Sequence, residues 1–348
     1  MVYYAGIDLG KRKSHIKVIT AERKVVEDLK IENDPKEFAR IFRKYKGQII
    51  AGCEATSNAF WVADTLEPLV EKCLVGHTSK IRWIAEARIK TDEIDAGILA
   101  ELVRVDLFPS IAIPPRRIRD LRELVRGLVR LRRQGNRNRN QVHSLLGRQG
   151  VAYKRAEVNG AKLEALVEST ELCGPARAAA RAYLRAEKVL KEEDKRLQAE
   201  VRKELEGEPK LQEQVARLAT IPGVGYFSAV LMVLELWDIT RFKDEKHLAS
   251  YIGFVPGTHQ TGETLWHGRM TKTGNKLVRW VLVQDAWVAT ANHEYFGGLF
   301  QRHKKRNGGV KAIVRVARAL LKTIYRVWSE KKTYEELYEK KTLVGGAR

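Results

Sequence analysis

Apolar and polar positions alternate along the first third of the chain, first with the two-residue period of strands and then with the three-to-four-residue period of helices. Tyr3 to Ile7 is a short apolar run ended by Asp8. His15–Thr20 and Lys24–Ile31 follow with β-branched residues and short separations, which predicts three successive strands. Asp34, Pro35 and Glu37 read as an N-cap, a first-turn proline and a capping-box acid. They open a helix carrying Phe38, Ile41 and Phe42 on one face and ended by Gly47. Gln48–Cys53 is an uncharged strand with Glu54 at its end. Trp61, Leu66 and Leu69 mark the next helix, and Cys73–Gly76 a further strand. Ile94, Ile98, Leu99, Leu102 and Val103 then return at helical spacing.

Three strands, a helix, a strand, a helix, a strand and further helices is the order of an RNase H-like α/β domain, a mixed sheet flanked by helices. The rest of the chain reads as helical. Ile118, Leu121, Val125 and Leu128 predict a long amphipathic, coiled-coil-like helix, and Leu190, Leu197, Val201 and Leu205 a second one. Ile221-Pro222-Gly223-Val224-Gly225 precedes Phe227, Val230, Leu231 and Leu234 at helical spacing, a helix-hairpin-helix-like signal that also fits a plain turn. Val310–Trp328 predicts a last helix burying Ile313, Ala317, Leu320, Leu321, Ile324 and Trp328.

Charge narrows the function. The 348 residues hold 64 Lys and Arg against 43 Asp and Glu, a net charge of +21 that attracts polyanions. Nucleic acid is the expected partner rather than a membrane. The most apolar stretch, Tyr226–Trp237, is interrupted by Glu235 and shorter than the ~20 residues of a span. The N-terminus lacks the pattern of a secretory signal, and Cys53, Cys73 and Cys173 are spaced as reduced thiols, so a cytoplasmic location is expected. Eleven arginines fall between Arg116 and Arg148 against Asp120 and Glu123. Of these, Arg116, Arg117, Arg119, Arg122, Arg126, Arg130, Arg133, Arg137 and Arg139 are candidates for a phosphate-tracking face. Arg269, Lys272, Lys276 and Arg279 are further candidates in a polar, Gly-punctuated loop running from Phe254 to Glu263 and on to Lys276. That loop has the mixture of hydroxyls, a histidine and cations that suits a nucleophile with phosphate clamps, and equally a surface turn.

Against this basic background four acids stand out: Asp8 in Gly6-Ile7-Asp8, Glu54 in Glu54-Ala55-Thr56, and Asp92 and Asp95 in Lys90-Thr91-Asp92-Glu93-Ile94-Asp95-Ala96. The i, i+3 spacing puts Asp92 and Asp95 on one helical face, able to aim at acids on strand ends. Each alone is an ordinary strand-end or first-turn acid. Together they form an all-oxygen donor set suited to Mg²⁺ or Mn²⁺ and to phosphodiester chemistry.

These motifs, with Ile221-Pro222-Gly223-Val224-Gly225, Gly253-Phe254-Val255-Pro256, Thr261-Gly262 and Thr271-Lys272-Thr273-Gly274-Asn275, resemble the DEDD transposases of bridge-RNA-guided insertion sequences, relatives of Piv-type DNA invertases. The resemblance covers nearly the whole chain. It implies a RuvC-like DEDD domain over residues 1–110, a basic coiled-coil region over 111–208 and a transposase domain over 209–348. It also implies dimers pairing as tetramers, a guide RNA, donor and target DNA, and a composite site in which the four acids bind metal and a serine attacks DNA to form a covalent phosphoserine. Here Thr261 falls where that serine is expected, and its β-methyl restricts χ1 and crowds an in-line approach to phosphorus. Ser57 and His77-Thr78 also depart from the family pattern, and neither removes a ligand. Two other classes fit the residues: a metal-dependent, junction-resolvase-like nuclease in which Thr261 is dispensable, and a catalytically silent nucleic-acid-binding remnant.

Overall fold

The computed structural model describes residues 1–84, 91–261 and 264–338. The chain divides into two compact units, Met1–Pro114 and Pro115–Arg348.

The first unit is built on strands β1 (Tyr3–Leu9), β2 (Lys13–Thr20) and β3 (Val25–Glu32), helix α1 (Pro35–Phe42), strand β4 (Ile49–Glu54), helix α2 (Ala59–Leu66), strand β5 (Lys72–Gly76), and helices α3 (Thr78–Ile84) and α4 (Asp92–Arg104). The strands form one mixed sheet in the order β3-β2-β1-β4-β5. β1–β2 and β2–β3 are antiparallel, β1–β4 and β4–β5 parallel. Alternation along the strands sorts side chains between the two faces. Ala5 and Ile7 of β1, Ile16 and Val18 of β2 and Ile31 of β3 pack with Phe38, Ile41, Phe42, Val62 and Leu66 of α1 and α2. On the other face, Leu99, Leu102 and Val103 of α4 meet Ile81 and Phe108. Asp34 caps α1 as expected, accepting from the Lys36 amide at 2.7 Å. Glu37 does not complete a capping box: its carboxylate is held by Arg40 one turn on.

The second unit holds helices α5 (Arg116–Arg148), α6 (Ala161–Ser169), α7 (Gly174–Glu206), α8 (Pro209–Ala219), α9 (Tyr226–Leu236) and α10 (Glu245–Tyr251), the hairpin of β6 (Pro256–Thr261) and β7 (Thr264–Met270), and helices α11 (Lys276–Asn292), α12 (Glu294–Asn307), α13 (Gly309–Ser329) and α14 (Tyr334–Tyr338). The two long helices α5 and α7 pair with each other. The start of α5 and the end of α7 are not a free-standing coiled coil. Ile118, Leu121, Val125 and Leu128 of α5 and Val201 and Leu205 of α7 share one core with α8, α9, α11 and α13. The polar stretch 254–270, expected as a loop, pairs instead into the β6–β7 hairpin, from Pro256↔Met270 at its base, across a register shift, to Thr258↔His267 and on to Thr261↔Thr264.

Between α9 and α11 lies a buried polar pair: Ser228 Oγ donates to Asp285 Oδ1 at 2.6 Å. Asp285 Oδ2 is buried without a hydrogen-bond partner. Burial pushes the Asp285 carboxyl up to about 7, the Ser228 bond opposing only in part. Its pKa is therefore higher folded than unfolded, so the native state holds the extra proton between about pH 4 and pH 7 and stability from this group is lost as pH rises through that window. Asp285→Asn should remove the slope. In urea unfolding, the variant gains on the parent by a few kcal/mol (~4 at most) from pH 4 to pH 8; a constant difference across that range refutes a neutral Asp285.

Candidate active site

β1 delivers Asp8 and β4 delivers Glu54, side by side. The two strands run parallel with Ile7 opposite Cys53, so Asp8 and Glu54 are the next pair along. Across the antiparallel neighbour Asp8 faces His15, and His15 in turn faces Lys30 of β3. One lateral row therefore reads Lys30, His15, Asp8, Glu54, and it lies on the face covered by α4.

What brings α4 onto this row is the absence of a side chain at Gly6. A Cβ there would stand 2.0 Å from the Ala96 carbonyl oxygen and 2.3 Å from the Ala100 amide nitrogen. Gly52, its neighbour on β4, lies against the side chains of Val103 and Phe108, with 2.5 Å from a built Cβ to Val103 Cγ2. Thr91 caps the helix, its hydroxyl accepting from the Ile94 amide at 3.3 Å. The first turn then carries Asp92 and Asp95 to the edge of the glycine contact. They diverge. Asp95 joins Glu54 in lining a cavity of about 70 Å³ walled by Thr78, Ile81, Arg82, Ile98 and Leu99. Asp92 turns toward β3, where Lys30 Nζ approaches its Oδ2 at 2.6 Å.

The basic neighbours shape the electrostatics. The hydrogen bond from Lys30, then its charge, holds the Asp92 carboxyl below the usual range. Lys30 is raised mainly by that same bond, with a smaller contribution from Asp8. Next to it Asp28 accepts from His15 at 2.6 Å and from Lys17 at 2.7 Å. Burial pushes Asp28 up, and these two partners outweigh it. Lys17 also reaches Glu93 at 3.5 Å. Sequence reasoning alone singles out none of His15, Lys17, Asp28 and Lys30 for chemistry. The signal exists: they alternate with Ile16, Val18, Leu29 and Ile31, which assigns them to the face of Asp8.

The donor set suits a hard divalent cation in chemistry, with Asp8, Glu54, Asp92 and Asp95 all oxygen donors at one corner of the sheet. In this side-chain arrangement Asp92 is committed to Lys30. Among the described residues no three His, Cys, Asp or Glu side chains converge closely enough to hold a metal ion. The cysteines offer no alternative: Cys53 is buried and its thiol is pushed well up, first by its hydrogen bond to Cys73 and then by burial, so it stays protonated.

In the second unit the arginines of α5 divide. Arg122 needs correction as a phosphate contact: it is buried, donating to the carbonyls of Leu234 at 2.7 Å and Glu235 at 2.9 Å at the end of α9. Arg126 grips the buried Glu235 at 2.7 and 3.1 Å. Burial would raise Glu235, yet the Arg126 bonds and charge keep it below the usual carboxylate range. Arg139 is similarly held by the buried Glu187 at 2.6 Å, and Arg117 bridges Glu204 and Glu208. Arg119 is half-buried, and Arg130 meets Glu123 at 3.6 Å. Arg116, Arg133 and Arg137 are exposed, Arg133 lying 5.7 Å over the Trp280 ring.

The later motifs have structural tasks. Asn275 caps α11, accepting from Leu277 and Val278, while its amide donates to Glu235 at 2.7 Å. Gly274, at φ +76°, has the Tyr251 carbonyl oxygen where a Cβ would go. Arg279 is occupied by the carbonyls of Ile252 and Thr273. Arg269, Lys272 and Lys276 are exposed. Gly223, at φ +86°, is pressed against Asp285 and Ala289 of α11, so the turn before α9 serves helix packing at that glycine; Gly225 has open space around it. Thr261 ends β6, while its side chain, like Lys90, Gly262 and Glu263, lies outside the described residues.

Comparison with known proteins places these features. A family model for DEDD-type transposases of the IS110 kind matches residues 5–149, and one described as "Transposase IS116/IS110/IS902 family" matches residues 215–300. The chain is 26% identical to a putative transposase, y4qE, of Sinorhizobium fredii over 94% of its own length and 82% of the relative's. It is 26% identical to the transposase for insertion sequence element IS1328 of Yersinia enterocolitica over 84% and 85%. It is 28% identical to the pilin gene-inverting protein of Moraxella bovis over 37% of this chain and 41% of that one.

The glycine contact gives a direct test. Gly6→Ala must push α4 off β1, costing at least ~3 kcal/mol by overpacking against backbone and lowering the thermal midpoint of the first unit. Gly147→Ala, in open space in the last turn of α5, should hold or raise the midpoint of its own unit. Equal midpoints for Gly6→Ala and the parent protein would refute the close approach.

Proposed function

We propose that this chain, an IS110-family transposase by its matches over residues 5–149 and 215–300 and thus an enzyme of DNA transposition, cuts and rejoins DNA through a covalent phosphothreonine at Thr261, assisted by the acids of the first unit. The observation that carries this reading is the corner at which the Asp8–Glu54 strand ends meet the first turn of α4, with Glu54 and Asp95 sharing one cavity. Asp8, Glu54 and Asp95 would hold a divalent ion there once their side chains turn toward one another from the arrangement described, and Asp92 would join them on leaving Lys30. Such an ion supplies charge neutralisation at a phosphate and polarises its oxygens. The chain's own part is to aim carboxylates from three elements and to keep Asp92 ionised through Lys30. In strand cleavage the Thr261 hydroxyl oxygen forms the new P–O bond as one phosphodiester P–O bond breaks, and the proton lost by Thr261 ends on the departing hydroxyl.

The element order and the acid positions also support a RuvC-like assignment of the first unit. The net charge of +21 and the exposed arginines of α5 support contact with nucleic acid beyond the cut site. With the family resemblance they support a bridge-type guide RNA acting on donor and target DNA. The composite site that the resemblance implies supports assembly as a dimer of dimers, with the region 111–208 mediating it.

Full-length protein with its co-purified RNA, Mg²⁺ and DNA carrying the element ends should give a covalent protein–DNA adduct on a denaturing gel, located at Thr261 by mass spectrometry. Thr261→Ala should abolish the adduct, Thr261→Ser should retain or increase it, and Asp8→Asn should lower its yield at least ~100-fold. Hydrolysed ends with no adduct, undiminished in Thr261→Ala, would instead establish the nuclease.

A further inference from the structure

Between Tyr295 and Ser329 nine lysines and arginines stand against no aspartate or glutamate. The structure gathers part of this charge along a groove. Two adjoining cavities, of about 320 and 440 Å³, run between the base of the β6–β7 hairpin and the first half of α13. They share Met270, Val314 and Arg315 as lining. Lys311, Arg315 and Lys322 are exposed on one stripe of α13 at i, i+4 and i+11. Val310 and Val314 flank the stripe, and Val310, at the helix end, is 82% exposed among the described residues. Arg318, at i+7, donates to the Phe254 carbonyl and so fastens the groove floor to the segment leading into β6. At the mouth the last turn of α12 adds Lys304, Lys305 and Arg306, and α13 begins without a side-chain cap.

We propose that this groove is the track for a single DNA strand with unpaired bases, held next to the point of cleavage. The occupant follows from the lining. Cations on the rim match phosphates, whereas an apolar floor of Val310, Val314 and Met270 gains only from base faces, which a duplex hides and an unpaired strand offers. DNA rather than RNA follows from where the groove leads: Pro256 and Met270 are the paired first and last residues of the hairpin, and β6 runs from there to Thr261. Five residue steps at about 3.3 Å put the groove roughly 17 Å of strand length from Thr261, a few nucleotides. The track thus rests on the proposed cleavage chemistry for its choice of DNA, and on the groove alone for its choice of an unpaired strand.

The test uses full-length protein carrying Asp8→Asn, so that binding is read without cleavage, and fluorescence anisotropy with a labelled DNA strand of about 16 nucleotides, the same sequence as RNA, and the DNA duplex. Lys311→Glu with Arg315→Glu should weaken DNA-strand binding at least about tenfold and lower the slope of log K against log salt by roughly one to two. Val310→Ser, which removes apolar surface without adding charge, should weaken the single strand and leave the duplex. All three positions are exposed, so an unchanged melting temperature certifies the fold. Unchanged affinity and salt slope in the double variant would overturn the track. So would a loss confined to RNA, or a Val310→Ser protein that binds the single strand as tightly as before. If Thr261 forms no adduct while these variants still lose the DNA strand, the cleavage chemistry fails and the track stands.

Discussion

Helix α4 can lie on β1 only because residue 6 has no side chain, and the candidate site is a consequence of that contact. With the Ala96 carbonyl oxygen 2.0 Å from where a Cβ would stand, the two backbones meet at a separation available to glycine alone. Every acid is tied to this point by a short covalent path. Asp8 is two residues beyond Gly6 and therefore on the same face; Asp95 immediately precedes Ala96; Glu54 is two residues beyond Gly52, where β4 lies against the Val103 and Phe108 side chains. Such close placement of carboxylates costs free energy through like-charge repulsion unless cations attend it. Lys30 attends it from within the sheet, in the same lateral row as Asp8, and removes Asp92 to the side. In a chain of net charge +21 this corner gathers four carboxylates, a donor set that favours a cation.

In the second unit the excess of positive charge is only partly available to a ligand. An ion inside a protein persists when its partners replace the lost water. Glu235 is such a case: Arg126 and Asn275 both bond it, linking α5, α9 and the cap of α11 through one carboxylate. Glu187 does the same between α7 and α5 through Arg139, assisted by Lys191. Removing one partner would strand a buried charge, so these arginines are bound to the architecture before any nucleic acid arrives. The Thr271-Lys272-Thr273-Gly274-Asn275 segment belongs to the same architecture, its glycine admitting the Tyr251 carbonyl and its asparagine closing the helix end.

The first unit was legible because strand alternation, the Asp34 cap and the helical spacing behind Asp92 are local signals, and each reports its own element. The strands and helices expected over residues 3–76 appear with boundaries shifted by a few residues. The placement of Asp92 and Asp95 in the first turn of α4 was equally local. Less legible was everything that depends on a partner distant in sequence. Arg122 is indistinguishable from Arg130 in a list of basic helix positions, yet one faces the end of α9 and the other the surface. Asp285 reads as a polar residue in a helix, and its raised pKa arises from burial beneath α9. The divergence of Asp92 from Asp95 is of this kind too, since i, i+3 spacing fixes a shared face and says nothing of Lys30 on a strand 62 residues away.

A candidate nucleophile at the end of β6 poses its own physical problem. A two-stranded ribbon has little stability by itself, and among the described residues β6 and β7 pair with no third strand. What fixes the ribbon is its base, where the Thr271 amide donates to the Val255 carbonyl at 2.9 Å and Arg318 holds Phe254. The groove along α13 starts at this same base. A strand bound there would bear on the segment that sets the direction of the ribbon, so its binding energy could be used to orient the hydroxyl rather than only to hold the substrate. For threonine this coupling matters more than for serine. The β-methyl removes χ1 freedom, and whichever rotamer presents Oγ1 to phosphorus has to be supplied by the backbone beneath it.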